Sequence, residues 1–112
     1  LNPAYSQAFH NLGVIYENLG LSQKALENYE KVIKHDKYFA EAYRNLSKLK
    51  TFSPEDKLIP QMQDVLSKTN LTLSDKSRLC FALAKVHEDL GNHKEFFNFL
   101  DKGNKLRQEI AQ

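Results

Sequence analysis

The chain has no tryptophan, one cysteine, one methionine, four glycines and three prolines in 112 residues. Each scarcity excludes something. A lone Cys80 cannot staple the fold, and its place among Leu79, Phe81 and Leu83 marks a small buried side chain rather than a reactive thiol. So little glycine and proline leaves few turns and fits an all-helical domain with one modest core. No apolar run approaches a membrane span, and no basic start followed by a hydrophobic segment marks secretion. A cytoplasmic protein with no membrane partner is therefore expected. Charge of one sign is scarce too: 16 basic against 14 acidic residues leave +2, which argues against nucleic acid as a partner. None of His10, His35, His87 and His93 pairs at four-residue spacing with another or with Cys80, so no metal site is expected. No Ser, His and acid cluster can be assembled by spacing, and Glu27, Glu30, Glu88 and Asp89 read as ordinary helix surface. Catalysis and a cofactor are not expected.

What is present is a helical period. Phe9, Leu12, Gly13 and Tyr16 fall at helical spacing, Gly20 interrupts, and Ala25, Tyr29 and Val32 resume. This predicts two amphipathic helices facing each other across a tight turn. Gly13 and Ala25 are the expected point of close backbone approach, with Phe9, Tyr16 and Tyr29 filling the space around it. Asn2 is the expected cap of the first helix, with Pro3 at its opening position. Ser22 is the expected cap of the second, which runs to about His35 with Ala25, Leu26, Tyr29, Val32 and Ile33 as its buried stripe.

The pattern then repeats. Ala8, Phe9, Asn11 and Leu12 are answered in the same register by Ala42, Tyr43, Asn45 and Leu46, so a second copy begins near Ala40. This copy is irregular: Ser47 and Lys50 replace the small and aromatic residues, and Thr51-Phe52-Ser53-Pro54-Glu55-Asp56 replaces the turn. A helix should resume from about Asp56, with Leu58, Ile59, Met62, Val65 and Leu66 on one side and Pro60 tolerated in its first turn. A third copy follows a linker at Lys68–Leu73, its first helix capped by Ser74 or Thr72. There Leu83, Ala84, His87, Leu90 and Gly91 answer Leu12, Gly13, Tyr16, Leu19 and Gly20. Phe96 takes the place of the small Ala and Gly103 that of a later small residue, so the last pair is expected to be tight near Gly103. Phe96, Phe97, Phe99 and Leu100 form an aromatic face, and Leu106 with Ile110 form a stripe that caps the stack or awaits a neighbour. The chain opens Leu-Asn-Pro without a Met, and Pro3 lies one repeat length before Lys37, which closes a repeat. A piece of a longer polypeptide is therefore expected.

Phe9, Leu12, Gly13, Tyr16, Gly20, Ala25 and Tyr29 together resemble the tetratricopeptide (TPR) repeat, with Val32 in place of a small residue and Lys37 in place of proline. The resemblance implies an all-α, right-handed helical solenoid of six helices in three antiparallel hairpins, at about residues 4–36, 39–68 and 74–110. Residues 40–108 further resemble the segment that joins TPR repeats to the catalytic domain in bacterial TPR-containing sulfotransferases. Ala42-Tyr43-Arg44-Asn45-Leu46, Phe52-Ser53-Pro54-Glu55-Asp56, Phe81-Ala82-Leu83-Ala84-Lys85, Glu88-Asp89-Leu90-Gly91 and Gly103-Asn104-Lys105-Leu106-Arg107 carry it. The phosphate-binding loop of that family's catalytic domain is not among these residues, because Gly13, Gly20, Gly91 and Gly103 are isolated and follow no β-branched run.

TPR arrays use the concave face built from the first helix of each hairpin. Carried over by position, the resemblance implies a peptide-binding face at His10, Val14 and Glu17 in the first copy, Arg44 and Lys48 in the second, and Phe81, Lys85 and Glu88 in the third. Arg44, Lys48 and Lys85 suit an acidic peptide. The carboxylate clamp of chaperone-binding relatives is not supported, since its paired positions hold His10 with Val14 and Arg78 with Ala82. The expected function is a non-catalytic protein-interaction or scaffold segment. Its alternatives are self-association through the open repeat ends, or an accessory region of a sulfotransferase.

Overall fold

A computed structural model describes residues 3–68 and 70–112. They form six α-helices, with no strand among the described residues: α1 (Pro3–Asn18), α2 (Ser22–His35), α3 (Ala40–Leu49), α4 (Leu58–Leu66), α5 (Leu73–Leu90) and α6 (His93–Ala111). The fold is the all-α, TPR-like helical solenoid. Asn2 lies outside the described residues.

The first and last pairs close on the same device. Gly20 and Gly91 adopt left-handed backbone with φ of 77° and 74°, which a residue without a Cβ reaches at no steric penalty. The residue after each then bonds back across the turn, Leu21 N–H to the Tyr16 carbonyl and Asn92 N–H to the His87 carbonyl, both at 2.9 Å. These bonds satisfy carbonyls that a helix end would otherwise leave open. The start of α2 differs from expectation by one residue: Ser22 is already helical, and Leu21 occupies the cap position without a side-chain bond. At α5 the choice between two caps falls to Thr72, whose Oγ1 accepts the Asp75 N–H at 3.1 Å.

Close packing within the outer pairs also takes a specific form. A Cβ added at Gly13 would lie 2.6 Å from the Tyr29 ring. The close neighbour of Gly13 is therefore this ring rather than Ala25, because Tyr29 lies in the groove that Gly13 opens. Leu12, expected in the same interface, is turned outward and exposed. In the last pair Gly103 meets the Phe81 ring in the same way, and Ser77 Oγ donates to the Gly103 carbonyl at 3.2 Å. In the expected aromatic face Phe96 and Phe97 meet edge to face at 5.0 Å between centroids and Phe99 packs against the core, while Phe97 is 61% exposed.

The core is carried by the inner helices. Ala25, Tyr29 and Val32 of α2, Ala42, Tyr43 and Leu46 of α3, Met62 and Val65 of α4, and Leu79, Ala82, Leu83 and Val86 of α5 are fully buried in one cluster. The middle of the chain is irregular, as its departures from the period predict. α4 packs on α5, and Gln61 ties it to α3 by donating to the Tyr43 hydroxyl, which in turn donates to the Lys37 carbonyl at 2.8 Å. The start of α4 is held by Asp56, whose Oδ1 accepts the Leu58 N–H at 2.9 Å. Pro60 sits in the first turn, where its missing N–H breaks no helical bond.

Candidate functional site: a basic crevice on the inner face

The first helix of each pair contributes to one surface. His10, Asn11, Val14 and Ile15 from α1, Glu41, Arg44 and Asn45 from α3, and Arg78 from α5 line a crevice of about 560 Å³. A second cleft of about 270 Å³ shares Arg44 and Arg78 and continues over Phe81 to Arg107 and Ile110 of α6. The two clefts adjoin at Arg44 and Arg78.

Of the eight candidate residues, His10, Val14, Arg44 and Phe81 line these clefts, whereas Glu17, Lys48, Lys85 and Glu88 do not. His10 is only 2% exposed, so it is a wall residue and not the free contact expected of it. Its Nε2 lies 3.0 Å from Glu41 Oε2, and its ring packs 5.0 Å from Phe39 and 5.4 Å from Tyr29 between centroids. The Asn45 side-chain amide nitrogen lies 3.4 Å from the same Nε2, while Nδ1 is buried without a partner among the described residues. Burial holds His10 below its ordinary pKa of 6.5 against the opposing pull of Glu41. Val14 is half-buried in the crevice.

Glu17 is half-buried and Lys48 exposed, and the two form a loose ion pair. Their charged atoms are 3.8 Å apart, and Glu17 also accepts the Tyr29 hydroxyl at 2.8 Å. Buried beside that carboxylate, the Tyr29 hydroxyl is pushed well above its usual range.

Lys85 departs furthest from expectation. Its Nζ pairs with Asp89 at 2.6 Å and donates to the Lys50 carbonyl at 2.9 Å, while Asp89 also accepts the Phe52 N–H at 3.0 Å. It holds the irregular segment in place and is not available as a ligand contact. The fold requires this because Phe52 is buried in the core and the segment around it has no helix to satisfy its backbone. Glu88 is exposed on α5 and lines neither cleft.

Arg44 and Phe81 are the candidates that the structure brings together. The Arg44 guanidinium lies 5.6 Å above the Phe81 ring, and that of Arg107 lies 5.7 Å from the same ring. Arg44 is half-buried, and its pKa is lowered by burial and by the neighbouring Arg107 charge. Among the described residues neither arginine has a carboxylate partner. Arg78, by contrast, is 3.0 Å from Asp75 and 3.7 Å from Glu41. Arg78 and Arg107 are not among the site residues expected from the sequence. Arg107 reaches the site from a second helix, and no positional rule for first helices points to it.

A larger cleft of about 900 Å³ lies on the other side, between α2, α3 and α4. Its lysines share it with Glu27 and Glu30, and Lys50 is taken by Asp56 at 2.6 Å. Among the described residues Lys31, Lys34 and Lys37 stand there without an ion pair, as Arg44 and Arg107 do in the inner crevice, but only the two arginines converge on one aromatic ring. No group of three His, Cys, Asp or Glu that could hold a metal ion occurs among the described residues, and no described helix is long and apolar enough to cross a membrane.

Two family models match the chain, both described as tetratricopeptide repeat, over residues 6–39 and 77–110. These are the first and third copies, in the register read from the sequence. No curated protein and no solved structure matches, and nothing in the comparisons ties the chain to sulfotransferases. With the matches spanning more than half of its length and six helices in the expected order, the chain belongs to the tetratricopeptide repeat family, whose members generally mediate protein–protein interaction.

Proposed function

We propose that this chain is a non-catalytic interaction module that holds an extended acidic segment of a partner protein along the inner crevice. One observation carries the reading: Arg44, half-buried where the two clefts meet, has no carboxylate partner among the described residues. A desolvated guanidinium without an anion is a fork of donors that a partner's carboxylate would satisfy. Val14, Ile15 and Phe81 offer apolar contacts beside it. Titration of fluorescent Asp/Glu-rich peptide pools by anisotropy tests the proposal. Saturable binding that weakens with salt and drops at least about tenfold in Arg44→Glu is expected. Absence of binding at low salt, or indifference to that substitution, would remove it.

A second reading, self-association, is favoured by α1. Tyr5, Ala8, Leu12, Ile15 and Leu19 are all exposed and recur at alternating spacings of three and four, the spacing of a helix-pairing seam. In the second copy the residues that answer Tyr5, Ala8, Leu12 and Ile15 are Phe39, Ala42, Leu46 and Leu49. These are buried or half-buried where α3 packs on its neighbours. The occupant of the α1 seam in this reading is a second copy of the chain. An accessory role beside a sulfotransferase domain rests on the sequence resemblance of residues 40–108 alone.

A further inference from the structure

Resting on the reading of the inner crevice as the binding face, we propose that its Arg44–Phe81–Arg107 end receives the phosphate of a phosphoserine or phosphothreonine in the bound segment. Both guanidinium groups lie over one aromatic ring, at 5.6 and 5.7 Å, and line the same cleft of about 270 Å³. Like charges brought together beside a low-dielectric wall repel, and here nothing acidic separates them. Arg78 borders the same cleft but is engaged by Asp75 and Glu41, so the uncompensated charge belongs to Arg44 and Arg107.

Two unpaired cations call for a dianion. A carboxylate carries one charge and two oxygens, whereas a phosphorylated side chain carries nearly two charges and three strong acceptor oxygens. Each arginine can present its planar fork to two of those oxygens, the two forks sharing one of the three. The Phe81 ring lies within cation–π distance of both guanidinium groups and does not compete for their donors. The site suits one isolated phosphate better than a nucleic-acid strand. The chain's net charge is only +2, little of the distributed positive charge that a run of strand phosphates calls for.

The test is nuclear magnetic resonance of the whole chain, reading the side-chain Nε–H signals of Arg44 and Arg107. The probe is a capped Gly-phosphoserine-Gly tripeptide, compared with the same tripeptide carrying glutamate and with a short single-stranded RNA. Both signals should move and saturate with the phosphopeptide, with at least about tenfold weaker binding of the glutamate form. Binding should fall as pH drops below about 6, where the phosphate takes up its second proton. Arg107→Gln, on an exposed position of the last helix, should weaken binding at least about tenfold while leaving the circular dichroism spectrum unchanged, and Arg44→Gln should act in the same direction. Equal binding of the two tripeptides, preferential binding of the RNA, or no movement of either signal would overturn the proposal. If acidic pools bind through Arg44 while the phosphopeptide moves neither signal, the phosphate site falls and the acidic-segment reading stands. If the phosphopeptide binds and the acidic pools do not, the phosphate site stands without the wider acidic preference.

Discussion

Gly13 and His10 show how single residues set this structure. The space above Gly13 is filled by Tyr29, a fully buried ring whose hydroxyl is tied to Glu17. At Gly103 the intruding ring is Phe81, which is only half-buried and has no anchoring hydroxyl. Gly13→Ala is therefore expected to destabilise by about 1–3 kcal/mol, the usual penalty of overpacking, and Gly103→Ala by less. Urea midpoints of the two variants check this order. At His10, burial leaves the folded imidazole harder to protonate than the unfolded one. Glu41 and Glu17 oppose this effect and Arg78 adds to it. As pH falls through the ordinary value of 6.5, the unfolded chain takes up its proton first, so stability drops and levels off only below the folded value. Stability present above that ordinary value should thus be partly lost below it, and the dependence should be flatter in His10→Gln. An unchanged slope in the variant would show that another group is responsible.

At the scale of elements, the informative part is the one that departs from the repeat. The segment between α3 and α4 lacks the small residues and the turn glycine of its neighbours, yet it is held firmly. Phe52 is buried beneath it, Asp89 and Lys85 of α5 bind its backbone, and Lys50 pairs with Asp56. Asp89→Ala removes an acceptor for both the Phe52 N–H and the Lys85 ammonium. The expected loss is about 1.5–3 kcal/mol, accompanied by faster proteolysis within residues 50–57. Destabilisation without new cleavage there would contradict the assignment of Asp89 to this segment. The punctuation of the other elements is legible in the chain. Gly20 and Gly91 end helices, Thr72 begins one, and Asp56 with Pro60 starts another, because caps and turns depend on neighbours within a few residues.

For the molecule as a whole, the first helix differs from the inner ones in how little it buries. Ile15 is 53% exposed and Leu12 37%, whereas the residues that answer them in α3, Leu49 and Leu46, are half-buried and fully buried. If a second copy covers this seam, sedimentation should become concentration-dependent, and Ile15→Glu should return the protein to monomer at all concentrations. Monomer throughout in the unaltered chain would discard self-association.

The order of helices, the recurrence of the repeat and the family are determined by the sequence itself, since periodicity and chain-local turn chemistry carry them. The binding face is a different matter. Position along the repeat selects Lys85 and His10 as readily as Arg44, and says nothing of Arg107. Only packing decides that Lys85 is consumed by Asp89, that His10 is walled in by two rings, and that arginines from α3 and α6 meet over Phe81. Those outcomes depend on which charges find partners across helices, and pairing at that distance leaves no mark in local spacing.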